Sequence, residues 1–289
     1  MIDVTPSGQA CGASVRGVDL GATLDAASVA AIRAAWMQHH VLAFPQQDLD
    51  NADLERLTLA LGTFGEEPFF GTMDGSEHVV ALTRRADEKA PLFAENWHSD
   101  WSFLDEPPIG TCLYSLVIPP VGGDTGFINQ HAALAAMPAS LRAQLEGRQA
   151  IHSAAAAYAP DGMYGDKDSE ADRSMRILYS DKARETRSHP LIQRHPENGR
   201  ETILGCLGYI VGLEGVPDDE ALGLLLELYE WQTREEFQYT HQWRERMLII
   251  WDNRSVLHRA YGGYDGHDRV LHRITVAADR DKFLPAAAA

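Results

Sequence analysis

The segment Trp97-His98-Ser99-Asp100-Trp101 sets an imidazole and a carboxylate two residues apart. On an extended strand such positions face the same way, so His98 and Asp100 can grip one metal ion together. Much later, Trp251-Asp252-Asn253-Arg254 leads to His258. A second histidine arriving from there would put two imidazoles and one carboxylate on one side of the ion. That is the ligand arrangement of non-heme Fe(II) oxygenases, which leaves positions open for a cosubstrate and for dioxygen. His-x-Asp alone is a weak signal, because a strand histidine is more often a core or surface residue. His258 by itself reads equally as a loop histidine after a buried strand. The other histidines are poorer candidates: His39 and His40 end a helix, His195 adjoins Pro196, His267 and His272 flank Arg269, and His152 and His189 are isolated.

The run Arg269-Val270-Leu271-His272-Arg273-Ile274-Thr275-Val276 is rich in β-branched residues and carries no helix signal, so it predicts a strand. Arg269 and Arg273 then share a face. Exposure is the default for arginine. Turned inward, each needs an anion, since an unpaired buried charge costs about 3–5 kcal/mol. The planar guanidinium fork takes a carboxylate or sulfonate at two points, so the pair would suit a dicarboxylic cosubstrate and an acidic substrate. Gly122-Gly123-Asp124-Thr125 is first of all a tight turn into a strand; its functional reading aims the Thr125 hydroxyl at a ligand carboxylate.

These residues need a frame. Residues 4–20 read as two short strands around a glycine-rich turn. Asp25 opens a helix with Val29, Ile32, Ala35 and Trp36 at helical spacing, and Asp50 caps a second through Leu54, Leu57 and Leu61. Residues 41–45 form a buried strand ended by Pro45, and residues 65–75 are irregular. From Asn96 short strands dominate: around His98, over 111–118, 124–129, 201–207, 237–239, 246–251 and 269–277. Helices are expected over 138–147 and after Pro217. Residues 154–185 are polar and aperiodic, which inside a compact domain points to a functional lid. The pattern is mainly β with flanking helices, a jelly-roll barrel in one domain spanning 1–289, with a lid at about 154–185.

The chain has 289 residues and a formal net charge of −17, which argues against nucleic acid or an anionic membrane as partner. A small anionic substrate remains compatible, because salt limits the bulk field to roughly 8 Å and a local arginine pair can dominate a pocket. Cys11, Cys112 and Cys206 are scattered without a CxxC, so the expected location is the reducing cytoplasm. No signal peptide or apolar run of membrane-spanning length is visible, and residues 286–289 read as a frayed tail.

Taken together, Trp97-His98-Ser99-Asp100, Gly122-Gly123-Asp124-Thr125, Trp251-Asp252-Asn253-Arg254 with His258, and Arg269 with Arg273 resemble, in order and spacing, the taurine dioxygenase (TauD/TfdA) family, which includes aryloxyalkanoate herbicide dioxygenases. The resemblance runs over residues 4–276. It implies a double-stranded β-helix core and dependence on Fe(II), 2-oxoglutarate and O2. By position, His98, Asp100 and His258 would bind iron, and Thr125 and Arg269 the distal carboxylate of 2-oxoglutarate. Arg273 matches the arginine that meets the substrate's acid in the taurine enzyme, and homo-oligomers are common in the family.

This chain departs from the taurine enzyme in ways that make taurine itself a poor fit. Where that enzyme has a His and a Tyr, residues 66–71 offer Phe69 and Phe70, and an Asn position is Ala94. Phe69, Phe70, Tyr158 and Tyr164 are candidates for a more apolar pocket. Phe103-Leu104-Asp105-Glu106-Pro107-Pro108 is similar to the herbicide branch. A carboxylate at position 100 fills the place where halogenases of similar fold bind chloride, which favours hydroxylation. The expectation is a dioxygenase that hydroxylates a small organic acid (a sulfonate, sulfate ester or aryloxy carboxylate) and releases succinate and CO2. The rivals are a non-catalytic, metal-stabilised jelly roll that binds a small acid, and a cofactor-independent hydrolase, which the lack of GxSxG disfavours.

Overall fold

A computed structural model describes residues 2–169 and 172–283; the tail at 286–289 lies outside them. Along the chain run β1 (Asp3–Pro6), β2 (Ala13–Arg16), α1 (Ala26–His39), β3 (Val41–Phe44), α2 (Asn51–Leu61), β4 (Thr63–Phe64), β5 (Val80–Arg84), β6 (Gly110–Val117) and β7 (Thr125–Asn129). Then follow α3 (Gln130–Ala135), α4 (Ala139–Leu145), β8 (Gln149–Ser153), α5 (Ala155–Tyr158), α6 (Asp166–Ser169), β9 (Thr186–Pro190), β10 (Ile192–Arg194), β11 (Glu201–Ile203) and β12 (Ile210–Leu213). Last come α7 (Asp218–Gln232), β13 (Gln238–His241), β14 (Leu248–Asp252), β15 (Val256–Ala260), β16 (Arg269–Ala277) and α8 (Arg280–Phe283). The architecture is mainly β with flanking helices.

Local chemistry sets the helix ends. The Asp25 carboxylate accepts from the Ser28 N–H at 2.7 Å, and α1 stops where His40 turns left-handed at φ 65°. At α2, Asp50 accepts from the Asp53 N–H at 2.9 Å while the Asp53 carboxylate accepts from the Asp50 N–H at 3.0 Å, a reciprocal cap. Pro217 precedes α7, whose first turn carries Asp218, Asp219 and Glu220 against the positive end of its dipole.

The large sheet has the order β1-β2-β3-β14-β6-β16-β4, with β5 also pairing to β16. A second sheet, β13-β7-β15, is antiparallel throughout. Alternate residues of the large sheet enter two different cores. Leu42, Phe44, Cys112, Tyr114, Leu248, Ile250, Ile274 and Val276 pack with residues of α1 and α2. Val41, Ala43, Leu113, Ile249, Trp251 and Leu271 pack with Phe127, Tyr239 and Val256 of the second sheet. Both faces of these strands are therefore apolar, and each fully buried Leu, Ile or Phe contributes about 1.5–3 kcal/mol. By the same alternation, Thr111, Arg269 and Arg273 lie on the Leu113/Leu271 side, toward the second sheet.

Candidate active site

His98 is not on a strand. It forms an isolated bridge with His258: the His98 N–H donates to the His258 carbonyl at 3.0 Å, and the His258 N–H to the His98 carbonyl at 2.8 Å. Asp100 sits in the turn that follows, where Trp101 takes φ 49°. The expected strand alternation of His98 and Asp100 is thus replaced by a bridge and a turn. His258, by contrast, lies on β15 and not in a loop. Trp97 joins a helical core with Ile128 and Leu257, whereas Trp101 joins an aromatic group beside the site.

The structure brings His98, Asp100 and His258 together, with ligating atoms within 4.8 Å of one another. Asp100 Oδ1 is 3.9 Å from His98 Nε2 and 3.7 Å from His258 Nε2. His98 Nδ1 donates to the Asn96 carbonyl at 2.8 Å, which leaves the Nε2 lone pair free. Burial lowers the pKa of both imidazoles, with the Asp100 charge opposing, so both favour the neutral, ligating form. Burial pushes the Asp100 carboxyl up, but Arg273 and the two imidazoles outweigh it and hold the group well below the usual carboxylate range. Two neutral imidazoles and one carboxylate, buried and convergent, suit a ferrous ion.

Thr111, and Asn253 of the quoted motif, to which the sequence assigned no role, hold Asp100 in place. Thr111 Oγ1 donates to Asp100 Oδ2 at 2.6 Å and accepts from Asn253 Nδ2 at 3.0 Å. Asn253 Oδ1 in turn accepts from Trp251 Nε1 at 2.8 Å. The neighbouring Asp252 faces elsewhere: it accepts from His195 at 2.9 Å and pairs with Arg254, in a buried network that includes Glu197 and Arg33.

Arg269 and Arg273 both face inward. Arg269 Nη2 donates to the Gly123 carbonyl at 3.1 Å, while its buried Nε has no partner among the described residues. Gly123 at φ 72° permits this approach; a Cβ there would lie 3.3 Å from Arg269 Nε. Thr125 Oγ1 accepts from Trp243 Nε1 at 2.9 Å, which leaves its own hydroxyl proton to donate. A buried guanidinium edge without an anion, beside a free hydroxyl, fits a carboxylate ligand such as the distal end of 2-oxoglutarate.

Arg273 is different. Nη1 donates to Asp100 Oδ1 at 3.0 Å and Nε to Glu67 Oε1 at 3.2 Å, while the buried Nη2 has no partner among the described residues. Glu67 is buried, and its Oε2 accepts from Trp101 Nε1 at 3.0 Å. Burial raises its carboxyl pKa, against the pull of Arg273.

The cavity over these groups is lined by Phe70, Trp101, Tyr158, Tyr209, Phe93 and Met175 together with the triad, Thr125 and both arginines. Phe69 does not line it. It stacks behind Tyr158, with ring centroids 4.7 Å apart, and so supports the wall without touching a ligand. Tyr209, which the sequence reading did not single out, meets His98 edge-on at 6.3 Å. Residues 154–185 contain α5, α6 and a 3₁₀ turn, and contribute Tyr158, Arg173 and Met175 to the cavity. No helix among the described residues is long and apolar enough to cross a membrane.

The family model described as "Taurine catabolism dioxygenase TauD, TfdA family" matches residues 3–275. The chain is 32% identical over 270 residues to an alkylsulfatase of Acinetobacter baylyi, covering 93% of this chain and 82% of that one. It is 31% identical over 277 residues to the (S)-phenoxypropionate/alpha-ketoglutarate-dioxygenase of Delftia acidovorans, covering 90% and 89%. The crystal structure of a taurine dioxygenase from Burkholderia xenovorans superposes with a TM-score of 0.76 at 30% identity, over 96% of this chain and 91% of that one. Relatives named as dioxygenases favour the catalytic reading over a non-catalytic, acid-binding jelly roll.

Proposed function

We propose that this chain, which belongs to the TauD, TfdA family and is a 2-oxoglutarate-dependent non-heme iron dioxygenase, hydroxylates a small organic acid seated against the aromatic wall of its cavity. The observation that carries the reading is the convergence of His98, Asp100 and His258 beside an arginine, Arg269, that is buried with an unsatisfied Nε.

His98 Nε2, His258 Nε2 and Asp100 would hold Fe(II). With 2-oxoglutarate and O2 the bound iron supplies the oxidant that converts a substrate C–H to C–OH, with succinate and CO2 as coproducts. Thr125 donates a hydrogen bond and Arg269 a charge-assisted one to the distal carboxylate of 2-oxoglutarate, which orients its 2-oxo acid end toward the triad. Arg273 presents its unpartnered Nη2 to the substrate. Phe70, Trp101, Tyr158 and Tyr209 exclude water and fix the substrate's apolar part. Residues 154–185 act as a lid within a single domain, and the two sheets form a double-stranded β-helix. Three free, buried cysteines support a cytoplasmic location. Self-association would use the exposed Leu222 and Leu226 of α7 with Val211.

Purified protein given Fe(II), ascorbate and 2-oxoglutarate is expected to release succinate slowly, and faster with a matched acid. Failure of 2-oxoglutarate to bind the anaerobic Fe(II) protein overturns the reading.

A further inference from the structure

Thr125 and Arg269 share a buried neighbour, Trp243. Strand register puts it there: β13 pairs with β7 so that His241 lies opposite Thr125, and Trp243 follows two residues beyond the end of β13. Its indole Nε1 donates to Thr125 Oγ1 at 2.9 Å, and its ring centroid is 5.9 Å from the Arg269 guanidinium carbon. Trp243 does not itself line the cavity.

The indole packs against a side chain that is itself fixed. His241 meets it edge-on, with ring centroids 5.0 Å apart. The Met247 thioether can only accept, so the His241 proton sits on Nε2, 3.0 Å from Sδ, and Nδ1 accepts from the Tyr239 hydroxyl at 2.9 Å.

A hydroxyl both gives and takes a hydrogen bond, so a neighbour could capture its proton as readily as supply one. An indole N–H only gives. Trp243 therefore fills the acceptor side of Thr125 and leaves the hydroxyl proton without a partner among the described residues. Nor does it offer Arg269 an acceptor: Nη2 turns to the Gly123 carbonyl, and Nε stays unpartnered. Asn, Gln or His in its place would bring a lone pair able to tie up either donor. With Trp243 the pair presents two donors to a carboxylate, and no hydrogen bond within the protein has to break first.

We propose that Trp243 is a positioning residue for the cosubstrate: by donating to Thr125 it turns that hydroxyl's proton toward the distal carboxylate of 2-oxoglutarate. This inference rests on the dioxygenase reading and adds a residue to the cosubstrate end of that site.

The test is anaerobic calorimetry on the full chain loaded with Fe(II) and titrated with 2-oxoglutarate, for wild type, Trp243→Phe, Thr125→Val and the double variant. Phenylalanine keeps a ring over Arg269 and removes the N–H. Trp243→Phe is expected to weaken 2-oxoglutarate by at least about threefold, the worth of one hydrogen bond, with Fe(II) affinity within about twofold of wild type. In the Thr125→Val background the same change is expected to cost less than about twofold, because the hydroxyl through which it acts is gone. A smaller loss in Trp243→Phe alone, a larger one in the Thr125→Val background, unaltered affinity in Thr125→Val, or a greater fall in Fe(II) affinity overturns the proposal. Should Trp243→Phe fail to fold, the wild type decides. With Zn(II) in place of Fe(II), the indole N–H resonance that Thr125→Val displaces is expected to shift when 2-oxoglutarate is added, and an unmoved resonance overturns the proposal. If 2-oxoglutarate does not bind the wild type, the dioxygenase reading and this inference fall together; if it binds and the variants behave otherwise, only this inference falls.

Discussion

Thr111→Val isolates the support behind the iron ligands. The Thr111 hydroxyl is fully buried and makes two hydrogen bonds, a 2.6 Å donation to Asp100 Oδ2 and a 3.0 Å acceptance from Asn253 Nδ2. Valine has nearly the same shape but leaves a carboxylate oxygen and an amide N–H unsatisfied. Each such loss costs about 1–3 kcal/mol, the charged one at the upper end. Two effects on metal affinity oppose each other. A carboxylate stripped of a donor is a stronger base, which tightens the metal; a carboxylate free to pivot is a worse-placed ligand, which loosens it. Asp100 sits in a turn, and its other tether, Arg273, pulls on Oδ1, the oxygen nearest the two imidazoles. With Thr111 silenced, that pull is unbalanced, so orientation dominates. Loss of an outer partner of this kind typically weakens metal binding ~10–100-fold. Anaerobic Fe(II) titration against a chromophoric chelator measures it, and Thr111→Ser, which keeps the hydroxyl, is the control expected to stay within about threefold of wild type. Wild-type affinity in Thr111→Val would refute the orientation argument.

Three further outcomes are expected. Asp100→Ala abolishes iron retention, measured by metal analysis after desalting, while circular dichroism stays native; full retention would remove Asp100 from the ligand set. Arg269→Met weakens 2-oxoglutarate binding by at least about 100-fold in calorimetry, yet raises the Tm of the ligand-free protein, because it removes a buried charge whose Nε is unpartnered and which only the more distant Asp124 offsets; a lowered Tm contradicts that account. Acidification destabilises the fold. Burial pushes His40, His152 and His241 down to about 3 and His131 to about 4. Below about pH 6.5 the unfolded chain takes up protons that these folded histidines refuse. Stability present above that pH is therefore lost as pH falls toward 4, by up to about 1.4 kcal/mol per pH unit for each histidine. Denaturant midpoints that stay flat between pH 7 and 5 would contradict it.

What could be read from the sequence follows how local each signal is. The caps at Asp25 and Asp50 act within three residues, and α1 and α2 begin where those residues predict. The β-branched run of β16 matches its expected span, with Arg269 and Arg273 on one face. His98 and Asp100 meet as expected, but through a single bridge and a turn, and no strand periodicity lies behind them. β15 escaped notice because Val256, Leu257 and His258 are all buried, which erases the alternation a half-exposed strand would have. Glu67 was invisible for a different reason. Its partners Trp101 and Arg273 lie far along the chain, and an acid after Glu66 reads as a solvated loop until the fold closes over it. Phe69 and Phe70 are adjacent, so composition alone had no means to assign one to the cavity and the other to its backing.

The bridge between His98 and His258 also bears on how the enzyme fares without its metal. Both histidines are fastened to each other by their own main chains, so the spacing of their backbones is set by the bridge to β15. A molecule stripped of its metal is therefore expected to keep the two ligand backbones paired. Amide protons of these two residues should accordingly exchange with deuterium as slowly in stripped protein as in charged protein, while neighbours in the 154–185 segment respond.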